Sequence, residues 1–415
     1  MIFYQDRVII PEVNDVILSG GYSGHANFGD VAQLKSIISW YKKRDFNVVV
    51  VIRLDAIYDE KFLEKLYEWF DVKAFIFYSS KAFNVEKYKL VKVKEFVCPN
   101  FHLYGGGMIN RFWAKDIIML CESIINKFQV TNYVVSGQQI DSYGAKLLKE
   151  HYNRFLPSVI GVRDRESLTY LRENGIEAYY SFDDAYEELE HLSTVFELVE
   201  SDIKEVYLHF NLSAYVSDDL QLMIKTFVTA LESIKYNYPN AKYKLLLTYL
   251  DSRILGIIDT LGVIGTLDYH FDMCEVTIVN LAALSLQSSC DNKIKIAKNS
   301  IVLATSYHTA MFMKILGMKV FMFAGNDYYE QKRKGLSLDK VSFNDLFKND
   351  NSTEILNSKK VYREEWLRIL SSHYTQHSIK PLEYKEHHLS ETKLPIFKHK
   401  PIETNLADML KKMKQ

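Results

Sequence analysis

Several things are scarce in this sequence, and each shortage removes a class of protein. Only four cysteines (Cys98, Cys121, Cys274 and Cys290) occur in 415 residues. They are widely spaced, with no CxxC pair and no Cys/His cluster, which argues against a zinc module or a disulfide framework. They are expected as small buried residues in a reducing compartment. Seven prolines and seventeen glycines are too few for a linker-rich or collagen-like chain. Neither sign of charge is in surplus: 51 Lys and Arg stand against 52 Asp and Glu, a formal net charge of -1. Nucleic-acid binders carry a basic excess, so no nucleic-acid partner is expected. No run approaches the ~20 apolar residues of a membrane helix. The opening stretch, MIFYQDRVIIPEVND, lacks the basic segment and apolar run of a signal peptide. The expectation is a cytoplasmic protein whose membrane contact is at most peripheral, at the inner face.

What is present is apolar and aromatic: hydrophobic residues make up 48% of the chain, with 28 Tyr and 24 Phe. Such area builds a core or lines a sugar site, and composition leaves both open. The length exceeds one ordinary core and suits two. Short β-rich runs alternate with amphipathic helical segments: DVILSGG, VAQLKSIISWYKK, NVVVVIRL, EKFLEKLYEWF, KAFIFYSS and onward. The run NVVVVIRL is apolar on both faces, as in a parallel strand covered on both sides. Repeated β-then-α order predicts right-handed crossovers and parallel sheets. A second set opens at EVYLHFNLS and closes near KVFMFAG. The fold class is therefore α/β, with two Rossmann-like lobes over residues 1–190 and 200–335. Residues 336–415 are expected as a helical and irregular tail that packs back on the first lobe.

Ligands of parallel sheets bind outside the carboxyl ends of strands, so the loops after strands are where chemistry is sought. The first is SGGYSGHANFGD. Gly21 and Gly29 allow close approach of backbone, Asn27 and Asp30 stand at the helix start, and the N–H groups of that helix favour an anion. Asp30 also fits a plain N-cap. The second is YGGGMINRFW, in which Gly105, Gly106 and Gly107 are costly to order and Arg111 is near enough to meet an anion. The third is VSGQQ, where Ser136 and Gln138 offer neutral hydrogen-bonding groups. The fourth, GVRDRES, brings Arg163 and Arg165, whose guanidinium forks match carboxylate or phosphate. An internal Arg–Asp pair explains one of them as well. Downstream, SFDDA carries Asp183 and Asp184, suited to acid–base work or, more commonly, to an Asx turn. The fifth is LATSYHTAMFMKILG, with Ser306 ahead of His308, an imidazole able to carry a proton near neutral pH. Lys332 and Arg333 follow on NDYYEQKRKGL.

In this order the elements GGYSGHANFGD, YGGG, SGQQ, VRDRES with LRENG, DDA and TSYHTAMFMKILGMKVF resemble the polysaccharide pyruvyl transferase family. The resemblance spans about residues 17–335 and rests on the ordered set, since no single element is specific. It implies a two-lobed, GT-B-like fold and transfer of a pyruvyl group from phosphoenolpyruvate to a sugar. That sugar belongs to a cell-surface polysaccharide, such as a capsule or exopolysaccharide, or to its lipid-linked or nucleotide-linked precursor. It implies no metal and no organic cofactor. His308 is the expected acid–base group, with Asp30 and Arg163 as catalytic partners. Gly21, Asn27, Gly29, Gly106, Gly107, Arg111, Ser136, Gln138, Arg165, Ser306, Lys332 and Arg333 are expected around the substrates. Many relatives carry an arginine where Ser306 stands, a lost charge that Lys332 or Arg333 would replace. Two other readings stay open: a glycosyltransferase holding a nucleotide sugar in the second lobe, and a non-catalytic glycan-binding relative. A dehydrogenase is disfavoured, because neither glycine loop has the dinucleotide fingerprint.

Overall fold

The computed structural model describes residues 1–22, 27–54, 60–79, 88–94, 96–211, 216–249, 276–286, 293–298, 300–338, 353–377 and 403–405. Outside these lie Ser23 to Ala26 of the first glycine loop, the segment RILGIIDTLG of the second set, Cys274, Cys290 and most of the tail beyond residue 377.

The first lobe is a ten-stranded sheet. At its centre strand Asp15–Ser19 lies between Asn47–Arg53 and Asn100–Leu103, all parallel. The segment NVVVVIR shows why such runs become central strands. Its side chains alternate between two covered faces, Val48, Val50 and Ile52 packing in one layer and Val49 and Val51 in the other. A period of two with both faces apolar leaves no solvent side. Next to the outer edge only Ile2–Gln5 runs against the others, pairing antiparallel with Ala74–Ser79 on one side and with the short edge strand Val91–Lys92 on the other. From Asp15–Ser19 the chain first builds outward through Asn47–Arg53 and Ala74–Ser79. It then returns to the other side at Asn100–Leu103, so the order reverses beside Ser19 and Leu103.

The second lobe repeats this logic. Strand Glu205–His209 is flanked by Lys242–Leu247 and Ile301–Ala304, again parallel. The chain moves out to Thr277–Asn280 and returns at Ile301–Ala304, which puts a second reversal beside His209 and Ala304. Crevices open where strand order reverses in such sheets. Here the two crevices face each other.

The tail touches both lobes. Helix Thr353–His377 lays Trp366, Leu370 and Tyr374 into the layer over the first sheet, while Glu403–Asn405 adds an antiparallel edge to the second. The lobes are tied by helix Asp327–Gly335. Its Gln331 donates to Ile140 O and to Asp164, at 3.0 and 2.9 Å. No helix among the described residues is long and apolar enough to cross a membrane. Cys98 and Cys121 are buried free thiols.

Candidate active site

Between the reversals lies a cleft of about 800 Å³. The first lobe lines it with Gly20, Gly21, Asn27, Asp30, Gly106, Gly107 and Arg163. The second contributes His209, Thr248, Thr305, Ser306, His308, Tyr328 and Lys332.

Local sequence explains the positions. Asn27 caps helix Phe28–Lys42, its Oδ1 accepting from Gly29 N at 3.0 Å and Asp30 N at 3.4 Å. Phe28 N donates across the lobes to Thr248 O at 2.9 Å. The first three N–H groups are thus already occupied. This helix offers the cleft its dipole field rather than the open donors expected from the sequence. Ser306 caps helix Tyr307–Ile315 in the same way, which places His308 in the first turn, facing Gly29. A Cβ on Gly29 would overlap the His308 ring, so glycine is needed there for the two helix starts to meet. Gly106, at φ +119°, reroutes the chain after Leu103. The glycine run, read from the sequence as lying between a strand and a helix, lies between two strands: Gly106–Ile109 forms a short strand beside Asn132–Ile140.

Charges converge beneath the cleft floor. Asp183 is fully buried and pairs with Arg163 at 3.2 Å. Gln33 Nε2 donates to it at 3.1 Å. His308 Nε2 lies 3.4 Å from Asp183 Oδ1, close enough for an ion pair but without hydrogen-bond geometry. Arg163 also donates to Gln139 and stacks 4.2 Å from the centre of the Tyr307 ring. Burial alone would raise the Asp183 carboxyl, but His308 and Arg163 outweigh it and hold the group well below the ordinary carboxylate range. Asp30 goes the other way. Burial lifts it to about 6 against the pull of His308 and Lys332. Two carboxyls in one site are thereby driven apart, the usual arrangement for separating an acid from a permanent anion. Burial and the Arg163 charge push the Lys332 ammonium well down. The faces of Tyr328 and Tyr329, with centroids 4.2 and 4.3 Å away, favour its charged form. His209 is pushed down to about 4 by burial, leaving a neutral imidazole between Thr248 and Thr305.

The structure brings together Gly21, Asn27, Asp30, Gly106, Gly107, Arg163, Ser306, His308 and Lys332, with Gly29 packed beneath His308. Five expected residues fall elsewhere. Ser136 and Gln138 do not end a strand: Asn132–Ile140 runs on past them, so both are fully buried and bonded to Asp184 and to Tyr104 O. Arg111 points outward over Phe112 and toward Asp218. Arg165 is exposed and reaches Tyr362. Arg333 turns away to Glu330 and Leu338 O, so of the two basic candidates to replace the missing arginine only Lys332 reaches the cleft. Asp183 was visible as half of a doublet after a strand. Tyr307, Tyr328 and His209 gave no sequence signal beyond lying near strand or helix ends. Among the described residues no three His, Cys, Asp or Glu side chains gather as metal ligands.

A family model described as polysaccharide pyruvyl transferase matches residues 27–270. The match includes Asp30, Arg163 and Asp183 and ends before His308 and Lys332. No curated protein matches the sequence. Among solved structures, HepE of Anabaena, in complex with UDP and glucose, is similar at a TM-score of 0.49 and 12% identity, covering 87% of this chain and 100% of that one. UDP-GlcNAc 2-epimerase of Methanocaldococcus jannaschii, with UDP-GlcNAc and UDP, gives 0.41 and 13%, covering 86% and 99%. A glycosyltransferase from Rickettsia africae gives 0.41 and 11%, covering 87% and 97%. At these scores the two-lobed architecture stands on the strand orders above.

Proposed function

The chain belongs to the polysaccharide pyruvyl transferase family, a family of transferases, and from that premise we propose that it moves a pyruvyl group from phosphoenolpyruvate to a sugar. The acceptor is a surface glycan or its lipid- or nucleotide-linked precursor, and the product is a cyclic ketal. The observation that carries this reading is the grouping of Arg163, Lys332 and His308 with Asp30 and Asp183 at one cleft.

The chemistry asks for what these residues offer. Phosphoenolpyruvate bears a phosphate and a carboxylate; Arg163 supplies a cation for them, and the donor's own negative charge favours the protonated form of Lys332 beside it. The enol carbon C3 takes a proton while a sugar hydroxyl attacks C2. A second hydroxyl then attacks the same carbon and phosphate leaves, giving the ketal and inorganic phosphate. Asp30, whose carboxyl burial lifts to about 6, is the proton source for C3. His308 accepts the first hydroxyl's proton and passes it to the departing phosphate, the Asp30 carboxylate takes the second hydroxyl's proton, and the Asp183 anion stabilises the imidazolium formed in between. The neutral row of His209, Thr248 and Thr305 suits an uncharged polyol on the opposite wall. No step calls for a metal or organic cofactor.

The test pairs binding with turnover. Phosphoenolpyruvate at ~100 times its Kd adds about 2.7 kcal/mol, close to 3 °C in Tm for 415 residues at about 2.1 cal/mol/K per residue. Wild type and His308→Gln are expected to show that shift, and Lys332→Met to lose most of it. Phosphate release with a panel of sugar acceptors is expected from wild type and not from His308→Gln. Stabilisation by nucleotide sugars alone, with phosphoenolpyruvate silent, would replace this reading with glycosyl transfer.

A further inference from the structure

We propose that Arg363, on the C-terminal helix and outside the segment matched to the family, is a positioning residue that holds the Gly105–Gly107 strand end and Asp183 in place at the cleft. The inference rests on the proposed function for what binds there, but its geometry is independent of the ligand.

The contact runs through Asp184. Phe182 sits in the left-handed region at φ +56°, a conformation uncommon for a bulky side chain. The two carboxylates after it diverge, Asp183 toward His308 and Arg163 and Asp184 into the interior. Asp184 is fully buried. It accepts Gly105 N at 2.7 Å and the Ser136 hydroxyl, and pairs with Arg363 Nη1 at 2.6 Å. The same guanidinium forks onto Glu187 at 2.7 and 3.0 Å and reaches Ser181 O at 3.4 Å. Arg363 is itself almost completely buried. One side chain from late in the chain therefore grips the loop on both sides of Phe182 and, through one carboxylate, the backbone N–H that opens the glycine segment. Generic packing of the helix does not require this: Trp366, Leu370 and Tyr374 already supply its apolar contacts. A buried, fully bonded charge pair fixes geometry, and removing one partner leaves the other unpaired.

The experiment compares full-length wild type, Arg363→Met, Arg363→Lys, the paired variant Arg363→Met/Asp184→Asn, and Leu370→Ala. Leu370→Ala is the control, because it loosens the same helix by a cavity without touching the charge pair. Hydrogen exchange is read on the peptide containing Gly105, with the Ile301–Ala304 strand as internal reference. Calorimetry gives the Kd for phosphoenolpyruvate. Arg363→Met is expected to speed exchange at Gly105 and to raise that Kd at least tenfold beyond the effect of Leu370→Ala. Arg363→Lys should recover part of both. If Arg363→Met does not fold, the paired variant, which leaves no fully buried charge unpaired because Glu187 is partly exposed, is read in its place by the same exchange and Kd criteria. Exchange at Gly105 no faster than in Leu370→Ala would overturn the proposal and leave Arg363 a packing residue. A wild type that does not bind phosphoenolpyruvate would refute the donor assignment, while the exchange measurement would still decide the role of Arg363.

Discussion

Replacing Asp30 with asparagine is expected to stabilise the protein while disabling it, and the stabilisation should depend on pH. Burial raises the Asp30 carboxyl from 3.8 to about 6, with His308 and Lys332 opposing and Asp183 adding to the rise. Its folded value lies above its unfolded one, so the native state binds more protons between the two. Stability therefore falls as pH rises from about 4 to about 6, and the full cost persists above that. A shift of this size corresponds to about 3 kcal/mol, an upper figure because Asp30 keeps some contact with the cleft. Against it stands the favourable field of the helix N-terminus on a first-turn carboxylate, about 0.3–1 kcal/mol. Asparagine removes both, for a net gain of about 2 kcal/mol at pH 7.5 and close to none at pH 4. At about 2.1 cal/mol/K per residue over 415 residues the gain reads as about 2 °C in Tm. Scanning calorimetry of both proteins at the two pH values reads the contribution of Asp30 together with its coupling to His308 and Lys332. A variant less stable at pH 7.5, or an equal difference at both pH values, would refute the argument. Phosphate release should fall at least a hundredfold, in line with general acid–base contributions of about 10²–10⁴.

Gly29→Ala drives a methyl group into the His308 ring; it should keep the fold, cost about 1–3 kcal/mol by overpacking, and lower kcat far more than affinity for phosphoenolpyruvate. Tyr328→Phe removes a hydroxyl that donates to Gly107 O at 2.8 Å, and a denaturant titration should show a loss of about 1 kcal/mol. Burial pushes the Cys98 and Cys121 thiols up to about 12, so iodoacetamide at pH 8 should leave both unmodified in the folded protein and label both in urea. Peptide mapping reads each site separately, and labelling of either in the folded state would contradict its burial.

The sequence by itself determined the elements and the places where chemistry is found. Runs such as NVVVVIR admit one reading, because a strand apolar on both faces must be covered on both. Glycine loops after strands mark the sheet edge at which ligands bind. Capping is local too, but the sequence offered Asp30 as the N-cap, and the structure gives that role to Asn27 three residues earlier, with Ser306 capping its own helix in the same way. Which groups meet was decided only by tertiary structure. Ser136 and Gln138 looked like a strand end because polar residues usually mark one. The strand instead continued, since Asp184 and Tyr104 O, both distant in sequence, were there to satisfy them. Lys332 and Arg333 are adjacent and alike, yet a helix turns successive side chains about 100° apart, and only docking against the first lobe decided that Lys332 faces the cleft. The contrast between Asp30 and Asp183 is of the same kind. One stands in the first turn of a helix and the other just after a strand, and one is raised and the other lowered because burial and neighbouring charge are properties of the assembled fold. Sequence specifies local geometry through short-range sterics and capping, whereas electrostatics and hydrogen-bond satisfaction are set by contacts between residues far apart in the chain.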